Sequence, residues 1–255
     1  MIVIVCPGQG SQTPGFLNPW LELPGLRDQL TALSDAAGVD LVTHGTTSDE
    51  DTIKDTAVAQ PLLVGAGLIA LRALSGSSAD GGYAVAPAGT GALAGHSVGE
   101  ITAAAAAGVL TETDAMRFVA QRGRAMAAAS AATPTGMSAV LGGDPDEVVA
   151  GIEGHDLTPA NVNGAGQVVA AGSLDALAAF AADPPARARV IPLKVAGAFH
   201  THFMQPAVGV LRDDWSDHDV SDPGVTLVSN RDGAVVSDGR EVLDRLIAQI
   251  GRAHV

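Results

Sequence analysis

The chain has 255 residues, 28 acidic and 14 basic side chains and a formal net charge of −14, with 47% of residues apolar and only 3% aromatic. The acidity argues against a nucleic-acid partner or an anionic membrane surface, both of which need clustered Lys and Arg. The single cysteine, Cys6, rules out an internal disulfide framework and fits a reducing cytosol, so a cytoplasmic location is expected; the apolar start also lacks the basic flank and length of a signal peptide or anchor.

In chain order, the β-branched run IVIVC at 2–6 reads as a buried strand that stops at Pro7-Gly8. Leu26, Leu30 and Leu33 recur at helical spacing before Gly38, a C-terminal stop. Pro61 opens the apolar helix PLLVGAGLIALRAL, at a first turn where its missing N–H costs nothing. Residues 75–91, rich in Ser, Gly and Pro, read as a surface loop. ALAGHSVGEITAAAAAG then passes from a short strand through a tight turn into a helix of small residues. Thr111 and Asp114 stand at capping-box spacing before a helix over about 114–132.

From Pro134 the pattern changes. MSAVLGG, DPDEVVAGIEG, a hairpin PANVNGAGQVVAAG turning at Gly164–Gly166, SLDALAAFAAD and RARVIPLKV follow as βαββαβ, the ferredoxin-like order. We read this stretch, 134–196, as an insertion in a discontinuous α/β domain of residues 1–133 and 197–255. A helix at about 203–213, an acidic loop, a strand VTLVSN, an Asp232-Gly233 turn and a helix REVLDRLIAQI complete the chain. The expected fold class is α/β, an α/β-hydrolase-like domain with a parallel sheet and a small ferredoxin-like insert.

Gly95-His96-Ser97-Val98-Gly99 fits G-x-S-x-G, in which a serine on a strand-to-helix turn is exposed at a helix N-terminus and the next N–H points where an oxyanion forms. The bare pattern also fits an ordinary tight turn among small residues. A nucleophilic serine needs a base. His44, His155, His218 and His254 stand in polar or terminal surroundings and are expected in solvent; His96 is expected to pack beside the turn. His200 follows VIPLKV at the carboxyl end of a strand, where α/β sheets keep their sites, and is the candidate base. His202 forms a His-x-His pair with it, but no further ligand cluster supports a metal, and none is expected.

Arg122 has Phe118 and Val119 one turn before it and Ala125 and Met126 one turn after it, which places it on the core-facing stripe of its helix; Arg117 and Arg124 lie towards the wet side. A buried guanidinium without a carboxylate costs on the order of 3–5 kcal/mol. Its partner is either an internal Asp or Glu, or a carboxylate carried by a substrate.

Several motifs stand in order: PGQGSQ at 7–12, Gln60-Pro61, GHSVGE at 95–100, QRGRAM at 121–126, Asn163 in NVNGAGQ, GAFH at 197–200 and VSNRDG at 228–233. Over nearly the whole chain they resemble the malonyl-CoA:acyl-carrier-protein transacylases and the acyltransferase domains of fatty-acid and polyketide synthesis. The resemblance implies malonyl transfer from coenzyme A to a carrier protein by a ping-pong route without a cofactor. It implies Ser97 as the acylated nucleophile, His200 as base and acid, and the N–H groups of Gln9 and Val98 as the oxyanion hole. Arg122 would hold the malonyl carboxylate, with Gln60, Asn163 and Phe199 at the substrate site. Phe199 would fill the space an extra methyl needs, a discrimination of about 1–3 kcal/mol.

The expected partners are therefore malonyl-CoA and an acyl carrier protein, met by a monomer, with Arg187, Arg189 and Lys194 as a local basic patch for an acidic carrier. Relatives continue past the last helix into a Pro-Val-(Arg or Gln)-Trp segment, whereas here GRAHV follows. This reads either as an incomplete chain with a foreign tail or as a natural short form. The resemblance implies that the carbonyl orienting His200 comes from that further segment, and that without it a sheet edge is exposed. Two rival readings stay open: a serine hydrolase, whose triad acid by chain order is Asp114, Asp144, Asp156 or Asp175, and a form that binds acyl-CoA or carrier without turnover.

Overall fold

The computed structural model describes residues 1–76, 82–163 and 166–253. Strand β1 (Ile2–Cys6) is followed by α1 (Leu26–Ala37), α2 (Leu41–Thr46), α3 (Glu50–Lys54), α4 (Thr56–Ser75), β2 (Thr90–Gly95) and α5 (Gly99–Ala106). Helix α6 (Glu112–Ala132) leads to β3 (Thr135–Gly142), α7 (Pro145–Gly154), β4 (Thr158–Asn163), β5 (Gln167–Ser173), α8 (Leu174–Ala182) and β6 (Ala188–Pro192). Then come α9 (Gln205–Trp215), β7 (Leu227–Val228), β8 (Val235–Val236) and α10 (Gly239–Ala248), with 3-10 turns at His202–Met204 and Gln249–Gly251. Part of the expected 75–91 loop, residues 164 and 165 of the expected hairpin turn, and His254 lie outside the described residues.

The chain divides into two compact units, Met1–Arg124 with Asp213–Ile247, and Ala125–Arg212 with Ala248–Val255. In the first, a sheet runs in the order β1-β2-β7-β8, with β1, β2 and β7 parallel and β8 antiparallel to β7. The β-branched run at 2–6 forms β1 as expected, but it is not buried: it stands at a sheet edge, and Ile2, Val3 and Val5 are exposed. Hydropathy alone does not distinguish a central strand from an edge strand.

Helix α4 begins earlier than the proline signal suggests. The Asp55 side chain accepts from the Ala57 N–H at 2.8 Å and caps the helix at Thr56, so Pro61 lies inside it. An interior proline costs about 3 kcal/mol, offset here by burial of its apolar neighbours. An 18-residue window of α4 reaches a mean hydropathy of 1.7, long and apolar enough to cross a bilayer. Yet the helix packs against α1, α2 and α5 with Leu62, Val64, Leu68 and Ile69 buried, the pattern of a core helix.

In the second unit the sheet order is β4-β5-β3-β6, every neighbour pair antiparallel. That is the ferredoxin-like order, and Val140, Val148, Ile152, Val168 and Phe180 form the core under α7 and α8. The stretch 134–196 falls wholly inside this unit, which is larger than the stretch. Ala198 N–H donates to Thr135 Oγ1 at 3.0 Å, Gly197 lies against Ser130, and Gln205 Nε2 donates to the Gly251 carbonyl at 3.4 Å. Such contacts join 125–133, 197–212 and 248–253 to the same unit.

Candidate active site

In the first unit the parallel strands β1, β2 and β7 end side by side, and their carboxyl ends lead to Gln9, Ser97 and Asn230. Carboxyl ends are where open α/β sheets hold ligands. The turn after β2 is shaped by its glycines. A Cβ on Gly95 would overlap the backbone of Gly99 and Glu100, and one on Gly99 would overlap the carbonyls of Cys6 and Pro7. With both side chains absent, Ser97 is held at φ 50°, a left-handed conformation rare for a residue with a Cβ. The turn is tied by His96 N–H to Cys6 O (2.9 Å), Gly99 N–H to His96 O (2.9 Å) and Glu100 N–H to Ser97 O (3.0 Å).

Arg122 is 1% exposed, as the helical stripe requires. Its Nη1 donates to Gln60 Oε1 at 2.6 Å and its Nη2 to Ser97 Oγ at 3.4 Å. Burial pulls its pKa down to about 10, opposed by the charge of Glu100. The guanidinium therefore stays cationic at neutral pH, with an internal carboxylate in its field and the serine hydroxyl within reach. Of the two alternatives for its partner, the internal carboxylate is represented by the charge of Glu100, while Gln60 and Ser97 accept from its terminal nitrogens.

Glu100 and Asn230 carried no assigned role in the sequence, though each stands in a quoted motif. Asn230 Oδ1 accepts the Ser97 N–H at 2.6 Å, and Asn230 N–H donates to Glu100 Oε1 at 2.7 Å. The available signal was a lone carboxylate on GEITAAAA, a helix otherwise made of small and apolar residues. Gln9 lies in the loop after β1, its Nε2 3.4 Å from the Lys54 carbonyl. Burial pushes the Cys6 thiol up to about 11, so it stays protonated and is no rival nucleophile at neutral pH. His96 is packed against Gly8, and burial lowers its pKa.

His200 belongs to the second unit. It is buried, sits at φ 60°, and its Nδ1 lies 3.0 Å from the Gln249 carbonyl oxygen. A carbonyl only accepts, so Nδ1 carries the proton and Nε2 presents the lone pair of a base. This corrects the expectation that the orienting carbonyl comes from the Pro-Val-(Arg or Gln)-Trp segment of relatives: Gln249, in the 3-10 turn after α10, supplies it. Of the hydrolase candidates, Asp114 closes the capping box of α6 with Thr111 and Asp144 caps α7.

Phe199, next to His200, is buried. Asn163, at the end of β4, donates to Gln167 Oε1 at 2.9 Å. His202 is exposed and lies against Phe203, and among the described residues no cluster of His, Cys, Asp and Glu could hold a metal. His44, His155 and His218, expected in solvent, are half-buried and engaged with Ser48, the Gly151 carbonyl and Trp215 respectively.

The family described as acyl transferase domain matches residues 3–249. A malonyl CoA-acyl carrier protein transacylase of Mycobacterium tuberculosis is 52% identical over 250 residues, covering 98% of this chain and 81% of that protein. A crystal structure of MCAT from Mycobacterium tuberculosis superposes with a TM-score of 0.93 at 50% identity, covering 100% of this chain and 82% of the other. A complex of a type II PKS acyl-carrier protein with its malonyl-transacylase gives 0.85 at 27% identity, covering 99% and 81%. With Ser97 on a glycine-framed turn beside a buried arginine, and with likeness over almost its full length, the chain belongs to the acyl transferase family, alongside these malonyl CoA-acyl carrier protein transacylases.

Proposed function

We propose that this protein transfers malonyl from malonyl-CoA to the phosphopantetheine thiol of an acyl carrier protein through an ester on Ser97. The observation that carries the reading is the Arg122 guanidinium, buried and cationic, 3.4 Å from Ser97 Oγ. A cation there suits an acyl group that ends in its own carboxylate, gripped by charge-assisted hydrogen bonds. Gln60, bonded to the other terminal nitrogen, holds the guanidinium in orientation.

In the first half-reaction His200 Nε2 takes the Ser97 proton as Oγ attacks the thioester carbonyl. The N–H groups of Gln9 and Val98 stabilise the oxyanion; the Ser97 N–H is committed to Asn230, which supports Val98 as the donor from the turn. The C–S bond breaks, and coenzyme A leaves as a thiol with the proton returned by His200. In the second half the carrier's thiol gives its proton to His200, attacks the ester, and Ser97 recovers its own. No cofactor enters this scheme. Phe199 limits the space beside the malonyl carbon, and Asn163 lines the acyl site.

We further read the protein as a cytoplasmic monomer, and 134–196 as a subdomain inserted into 1–133 and 197–255. The test of the function is intact-mass spectrometry after mixing with malonyl-CoA. We expect a malonyl adduct that Ser97→Ala abolishes and that holo carrier protein discharges. Adduct on Ser97→Ala, or rapid loss of malonyl to water without carrier, would overturn the proposal.

A further inference from the structure

The first unit contains a closed circuit around the nucleophile. Ser97 N–H donates to Asn230 Oδ1 (2.6 Å), Asn230 N–H donates to Glu100 Oε1 (2.7 Å), Glu100 acts electrostatically on Arg122, and Arg122 Nη2 reaches back to Ser97 Oγ (3.4 Å). From these contacts we infer that Asn230 and Glu100 are positioning residues for the transfer, holding the Ser97 peptide in its left-handed turn so that Oγ faces both the acyl carbon and the carboxylate-binding arginine. The inference rests on the transferase reading and assigns neither residue contact with substrate.

Three features support it. The parallel register pairs Leu93 with Leu227 and Ala94 with Val228, so Asn230, two residues past β7, is carried beside the His96-Ser97 peptide, just past the end of β2. The Asn230 turn is itself fixed: Ser229 N–H donates to Ala234 O, Gly233 N–H donates to Ser229 O (both 2.9 Å), and Arg245 bridges Asp232 and Glu241. Finally, a left-handed residue bearing a Cβ persists only where its surroundings over-determine it. Asn230 supplies the side-chain contact that aims the 96–97 peptide. Glu100, 4% exposed on a helix of small residues, is a buried carboxylate that accepts the Asn230 N–H. Burying a charge for packing alone is unfavourable, whereas a charge that fixes the Asn230 turn and offsets the buried arginine has a use.

The test is single-turnover acylation by malonyl-CoA, followed by quenched intact-mass measurement, with KM for malonyl-CoA and thermal melting on the same preparations. Wild type forming no adduct would sink the transferase reading and this inference with it. If wild type acylates, Asn230→Ala is expected to slow acylation by about 10²-fold, as a small misplacement of a reacting atom does, with KM changed less than about threefold. Asn230→Asp, which keeps an acceptor oxygen, should recover at least half of that loss on a logarithmic scale. Glu100→Ala should resemble Asn230→Ala, Glu100→Gln should rescue it in part, and the double Ala variant should cost no more than the worse single one, as expected for one coupled unit. If Asn230→Ala does not fold, Asn230→Leu, of similar volume but lacking the acceptor, carries the same expectation. Folded Ala or Leu variants acylating within about threefold of wild type, or additive losses in the double variant, overturn the inference.

Discussion

At the scale of single residues, the proposed function places recognition of the substrate carboxylate on Arg122. Its place on the core-facing stripe was legible from Phe118, Val119, Ala125 and Met126, because helical period alone determines which face a residue takes. Its surroundings were not legible, since Gln60, Ser97 and Glu100 come from other segments. Charge-assisted hydrogen bonds of about 1.5–3 kcal/mol each predict that Arg122→Ala lowers kcat/KM for malonyl-CoA by about 10²-fold, while acetyl-CoA is unaffected or improved. Steady-state kinetics with the two thioesters checks this; retained malonyl preference would place carboxylate recognition elsewhere. With a pKa near 10 the guanidinium keeps its proton through neutrality, so the preference should be flat from about pH 6 to about pH 9. The same substitution leaves Glu100 buried beside a lost cation, and adding Glu100→Gln should recover stability in chemical denaturation.

At the scale of elements, the strand–turn–helix from β2 to α5 was read correctly from G-x-S-x-G, because the demand for glycine is local geometry. What the pattern omits is the identity of the neighbours: Gly99 is needed because the carbonyls of Cys6 and Pro7, more than ninety residues earlier, press on it. Gly99→Ala should therefore destabilise the protein by at least about 1–3 kcal/mol and suppress adduct formation. Gly209→Ala in α9, where a Cβ meets nothing within 4 Å, should instead stabilise by up to about 1 kcal/mol. Melting curves of the two variants make the comparison. Pro61 shows the opposite failure of local reading: the proline suggested a start, but the Asp55 cap set it a turn and a half earlier. Likewise β1 was recognisable as a strand, but not as an exposed edge, which depends on what pairs beside it.

At the scale of the whole molecule, a net charge of −14 repels an acidic carrier protein, so recruitment must be local. Arg187, Arg189 and Lys194 are exposed along and beside β6, an edge strand of the second unit's sheet. Reversing all three to Glu should raise KM for carrier protein about three- to tenfold, from a few tenths of a kcal/mol per exposed charge. KM for malonyl-CoA should not move, and an unchanged carrier KM would remove the patch from consideration. The sequence by itself determined the α/β class, the βαββαβ order, the inward face of Arg122 and the turn bearing Ser97, since each follows from period, composition or a short turn motif. Only tertiary structure brought Asn230 and Glu100 to the Ser97 turn and set the Gln249 carbonyl against His200. Those contacts join segments 49 to 133 residues apart, and nothing in the local chemistry of either partner states which distant group it meets.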